Sequence, residues 1–129
     1  MVTNIRINPA DSVDGVLKRL ATLVGDRPVT ITNLESFEPS PVSETDGPAW
    51  QKVTAAVSGT WPECIVSPYL MVQCSDSRHY GAISNHVYRF SAMDLTAQER
   101  AGIHGNNEHI RLEAACRAVA FYIRLLRQL

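Results

Sequence analysis

The chain has 129 residues, 12 Lys+Arg against 13 Asp+Glu, a formal net charge of -1 and 45% apolar residues. That length holds one small domain or a piece of a larger one, and the apolar share is too high for a disordered chain. The scattered basic residues exclude a nucleic-acid footprint and a polybasic membrane patch, and no apolar run approaches the roughly 18 residues that span a bilayer.

Met1-Val2-Thr3-Asn4-Ile5-Arg6 has no signal-peptide pattern, which favours a cytoplasmic location. Residues 3–8 read as a short strand with Ile5 and Ile7 on one face. After the turn Asn8-Pro9-Ala10-Asp11, Asp11 or Ser12 caps a helix. Val13, Val16, Leu17, Leu20 and Val24 keep the helical period, and Gly25 ends it. Val29-Thr30-Ile31-Thr32 alternates as a strand. The three prolines in residues 35–48 predict an irregular linker.

Thr45 or Asp46 then caps a second helix with Pro48 in its first turn. Trp50, Val53 and Val57 form its expected buried face, and Ser58-Gly59 its expected stop. Cys64-Ile65-Val66 and Leu70-Met71-Val72 read as a buried strand broken by Ser67-Pro68, and Val87-Tyr88-Arg89-Phe90 as another. Thr96-Ala97-Gln98-Glu99 has the form of a capping box opening a single helical turn. The last helix is expected from near Asn107 to the end, with Leu112, Ala115, Cys116, Val119, Ile123 and Leu126 as its buried stripe. Cys64, Cys74 and Cys116 are odd in number and lack C-x-x-C spacing, which excludes a disulfide framework or a zinc ribbon. Cys64 and Cys116 read as buried thiols, and Cys74 as partly exposed beside a polar cluster.

That cluster is Asp76-Ser77-Arg78-His79-Tyr80, which gathers a carboxylate, a guanidinium, an imidazole and a phenol. It follows an apolar strand candidate, the end at which ligands bind in open α/β sheets. His104-Gly105-Asn106-Asn107-Glu108 sets a second imidazole on a loop softened by glycine. On these residues alone His104 faces solvent or caps a helix, because a zinc site needs about three protein ligands. Asn107 is a helix cap, and Glu108 meets the positive end of the helix dipole. Arg78 pairs with Asp76 or offers its planar fork to a carboxylate. Asn106 faces the site, His79 and Tyr80 line a pocket or pack within their loop, and His86 and His109 are surface residues.

Val66-Ser67-Pro68-Tyr69-Leu70-Met71, Asp76–Tyr80, Val87-Tyr88-Arg89-Phe90-Ser91 and His104–Glu108 stand in the order and spacing of one family. The chain resembles the C-terminal part of a zinc-dependent metallopeptidase of the carboxypeptidase S and aminoacylase type. The resemblance implies an α/β fold: a fragment of an α/β sandwich catalytic domain plus half of a ferredoxin-like lid. Residues 1–43 would be the second half of that lid or dimerisation domain with its linker, and residues 44–129 the C-terminal catalytic segment.

The intact parent would hold two zinc ions and cleave the amide bond of a peptide or N-acyl amino acid next to a free carboxylate. His104 would be a metal ligand with Glu108 supporting it, and Arg78 would bind the substrate carboxylate with Asp76 and Asn106 beside it. The family's H-x-D segment, bridging Asp and general-base Glu have no counterpart here, so this chain by itself is expected to be inactive. Its glycine pair and threonine ahead of D-S-R are replaced by Gln73-Cys74-Ser75, which alters the pocket floor. The expected partner is a second copy or a missing N-terminal half. The alternative is a non-catalytic binding or dimerisation module derived from the same family.

Overall fold

The computed structural model describes residues 1–73 and 75–129. Cys74, expected to be partly exposed, lies outside the described residues. The chain divides into two units, Met1–Ser43 with Tyr69–Val87, and Glu44–Pro68 with Tyr88–Leu129.

The first unit carries helix α1 (Val13–Val24). Its start is fixed chemically. The Ser12 side chain accepts from the Gly15 N–H at 3.0 Å, satisfying a donor that has no intrahelical partner. Its end is fixed by Gly25, whose φ of 57° is left-handed and whose N–H returns to the Ala21 carbonyl. Val13, Val16, Leu17, Leu20 and Val24 are all half-buried, as the periodicity predicts. The Val13 N–H also donates to Glu38 Oε2 at 3.2 Å. A 3-10 helix, Asp76–Ala82, completes this unit.

The second unit is built on α2 (Gly47–Thr60) and α4 (Leu112–Leu126), which pack together, with the short α3 (Ala97–Ala101) before α4. Ala56, Val57, Trp61, Ala92 and Phe121 form the core, with Val53, Val66, Ala118 and Leu125 against it. Phe121 sits 5.0 Å from Phe90 and 5.9 Å from Trp61, ring centre to ring centre, in tilted aromatic packing. An ion-pair chain joins the elements around this core. Arg117 reaches Glu63 at 3.1 Å and Asp94 at 3.2 Å, and Arg111 reaches Glu99 at 3.2 Å.

The structure corrects several sequence expectations. No strand forms among the described residues, although 3–8, 29–32, 64–66, 70–72 and 87–90 were expected as strands. The expected helices are present and the sheet of the α/β class is not. A strand is half of a hydrogen-bonded pair, and alternating apolar residues cannot supply the other half. At Val87 a side chain substitutes for that partner: the Ser43 hydroxyl donates to its carbonyl at 2.9 Å and accepts from its N–H at 3.0 Å.

Ser58-Gly59 does not stop α2, which runs on to Thr60. A Cβ on Gly59 would come 3.3 Å from Arg124 Cδ, so the glycine makes room for the stem of Arg124. Tertiary packing here outweighs the roughly 1 kcal/mol helix penalty of glycine.

α4 starts at Leu112, five residues after Asn107. Asn107 has φ of 62° and does not cap it. The buried face of α4 is Ala114, Ala118, Phe121 and Leu125, not the expected stripe. Leu112, Val119, Ile123 and Leu126 are 80%, 59%, 45% and 64% exposed. Cys64 and Cys116, expected to be buried, are exposed. Periodicity finds an apolar face but cannot rank two of them, and Phe121 wins because Trp61 and Phe90 are there to meet it.

α3 confirms the capping box. Glu99 accepts from the Thr96 N–H at 2.7 Å, and Thr96 Oγ1 accepts from the Glu99 N–H at 3.2 Å. The Arg111 N–H adds a bond at 2.8 Å. The Thr96 N–H above all, then the Arg111 N–H and guanidinium, hold the Glu99 carboxyl down from its ordinary 4.5 to about 2, against the opposing effect of burial. A depressed carboxylate stabilises the fold above its unfolded value and loses that contribution as pH falls through its folded one. Glu99→Gln should therefore lower Tm most above pH 4.5, and the gap to the parent should close as pH falls toward 2. Thermal melts across that range check this; a constant gap would show that Glu99 acts through shape alone.

Candidate functional site

The two candidate motifs lie in different units: Asp76, Arg78, His79 and Tyr80 in the first, His104, Asn106 and Glu108 in the second.

The first motif is carried by the 3-10 helix. The Arg78 N–H donates to the Ser75 carbonyl at 3.1 Å, closing the first turn, and the Ile83 N–H donates to the Tyr80 carbonyl at 3.0 Å, closing the last. Arg78 is half-buried, with Asp76, His79 and Tyr80 exposed around it. Its guanidinium lies over the Phe37 ring at 4.2 Å, and its Nε donates to His79 Nε2 at 3.3 Å. The ring supports the flat face of the fork, a geometry open to arginine and not to lysine. Gly81 lets the motif approach residue 41, since a Cβ there would meet Pro41 Cδ at 3.2 Å. The sequence offered no signal for Phe37, which stands 41 positions away in the linker.

The second motif is a tight exposed turn between α3 and α4. His104 and Asn107 both have φ of 62°, a left-handed conformation that costs an ordinary residue about 1 kcal/mol. The Gly105 N–H donates to the Gly102 carbonyl at 2.9 Å, and a Cβ on Gly105 would stand 3.1 Å from that same oxygen. Glu108 Oε2 accepts from the His104 N–H at 3.2 Å. Glu108 therefore holds the backbone of the His104 turn and is not in the first turn of α4, where the sequence placed it. Asn106 is exposed beside it, and His109 Nδ1 sits 2.6 Å from the Asn107 carbonyl.

The base of this loop is a contact that the sequence reading missed. Glu99 Oε1 receives the Arg111 N–H, so one carboxylate caps α3 and anchors the residue before α4. The capping box was legible; the partner 12 residues on was not.

Among the described residues no three His, Cys, Asp or Glu side chains gather closely enough to hold a metal ion. His104 is a single donor, so the described residues do not by themselves fit a zinc pair.

No protein-family model matches the chain, and no solved structure matches it. Curated relatives do. The chain is 34% identical over 127 residues to the N-fatty-acyl-amino acid synthase/hydrolase PM20D1 of Mus musculus, covering 96% of this chain and 25% of that protein. It is 34% identical over 125 residues to the protein of the same name from Xenopus tropicalis, covering 96% and 24%. It is 26% identical over 125 residues to the probable carboxypeptidase S-like 2 of Dictyostelium discoideum, covering 96% and 24%. The chain thus spans about a quarter of the length of these relatives.

Proposed function

Because the chain belongs to the peptidase M20 family of amidohydrolases and carboxypeptidases, we propose that it is the part of such an enzyme that supplies one metal ligand and the substrate-carboxylate clamp. The observation that carries the reading is the match across 96% of the chain to an N-fatty-acyl-amino acid synthase/hydrolase. Family members are generally metal-dependent. In the complete protein, zinc is the metal we favour, and His104 would be one of its ligands, since neutral imidazole is a good zinc donor. Glu108 would keep the His104 turn in place through the backbone. Arg78, steadied on Phe37, would bind the free carboxylate of an N-acyl amino acid or peptide. Asp76 and Asn106 would border that substrate, and His79 and Tyr80 would line its pocket.

The remaining ligands and the general base would come from the other three quarters of the length that the relatives have. The same reading accounts for the extended apolar segments 64–66, 70–72 and 87–90: their ladder partners would be strands outside this chain, completing the α/β sandwich. Residues 1–43 would contribute to the lid.

The test joins this chain, in place of its matching quarter, to the rest of the Mus musculus relative. The joined protein should hydrolyse an N-fatty-acyl amino acid. His104→Gly should reduce that activity at least about a hundredfold. In the 129-residue chain alone the same change should not lower Tm, because glycine accepts φ of 62° without strain. Full activity in the His104→Gly protein would remove the histidine from the site.

A further inference from the structure

α4 has an apolar face that no described residue of its own unit covers. Ala114, Ala118, Phe121 and Leu125 look into the core of the second unit. Leu112, Cys116, Val119, Ile123 and Leu126 recur at intervals of four, three, four and three residues on another face, and all five are exposed. A helix apolar on more than one face belongs inside a larger core.

Two occupants can be compared. A second copy would meet α4 along a helix of 15 residues, about 22 Å or two heptads. Self-supporting coiled coils sustain the pattern over at least three or four heptads. A stable interface also draws roughly 20–30 residues from each side, whereas this face offers five. The relatives point to the other occupant. Each is about four times the length that this chain spans, so a complete protein carries a much larger mass of polypeptide beside this quarter. The same unit also leaves Ile65 96% and Phe90 44% exposed on extended segments, so helix and extended chain alike await cover.

We propose that the Leu112–Cys116–Val119–Ile123–Leu126 face of α4 is the seat on which the remaining three quarters of the family polypeptide docks. The proposal rests on the family reading above and specifies where that polypeptide must bind. It needs no catalytic competence from the joined product.

Cys116, in the middle of the seam, provides the readout. A water-soluble maleimide is added to the 129-residue chain and to the protein in which it is joined to the rest of the Mus musculus relative. Peptide mapping then reads labelling at Cys116 separately from the other thiols. The expected result is rapid labelling of Cys116 in the chain alone and at least tenfold slower labelling in the joined protein. Ile123→Lys, which leaves the α2-facing side of α4 intact, should restore fast labelling in the joined protein while changing little in the chain alone.

Equal rates in the two proteins would overturn the proposal. So would slow, concentration-dependent labelling of the chain alone accompanied by a dimer in sedimentation, since a second copy would then occupy the seam. A joined protein that protects Cys116 yet hydrolyses nothing supports the seam and refutes the functional reading. One that hydrolyses substrate with Cys116 fully reactive does the reverse.

Discussion

Phe121→Ala is expected to destabilise the second unit by about 3–5 kcal/mol, the usual cost of emptying a buried phenylalanine site. Phe121 is 2% exposed and touches Trp61, Phe90 and Tyr122 through ring contacts of 5.0–5.9 Å. Removing the ring leaves a cavity among three other aromatic residues, Trp61, Phe90 and Tyr122. A loss of this size is comparable to the whole stability of a small unit, at roughly 0.05–0.15 kcal/mol per residue. Val119→Ala on the exposed face should cost less than about 0.5 kcal/mol. Urea unfolding followed by tryptophan fluorescence separates the two, since Trp61 packs on Phe121. A larger loss for Val119→Ala than for Phe121→Ala would mean that α4 seats the stripe expected from the sequence.

The second large effect follows from the proposed function and is read in the joined protein. Arg78→Lys should lower kcat/KM for an N-acyl amino acid about a hundredfold, which is about 2.7 kcal/mol of transition-state binding. Lysine keeps the charge. It loses the two parallel N–H donors that fit a carboxylate and the flat face that lies on Phe37. Against the matching substrate amidated at its carboxyl, the loss should be only a few-fold, because that substrate lacks the partner for the fork. Kinetics on the paired substrates decide it. Equal losses would make Arg78 a support for the 75–84 turn, and the carboxylate clamp would be abandoned.

Much of the helical structure was legible in the sequence because its signals are local. Ser12 and Gly25 bound α1, and Thr96 and Glu99 build α3, through hydrogen bonds spanning three or four residues. The family was legible too, from four short motifs in order, and the relatives bear it out. The candidate residues His104 and Arg78 were singled out through the family resemblance, since on its residues alone His104 read as a solvent-facing or capping side chain.

What the sequence could not decide was everything that depends on a distant partner. It placed the start of α4 five residues early, because the left-handed turn at His104 and Asn107 is held by Glu108 and closed by Glu99 and Arg111. It chose the wrong face of α4, because both faces are apolar and only Trp61 and Phe90 break the tie. It read strands where extended segments have no ladder partner among the described residues. Local chemistry sets both ends of α1 and the start of α3. Which face is buried, and whether an extended segment becomes a strand, is set by the surface it meets, and that surface exists only once the chain has folded.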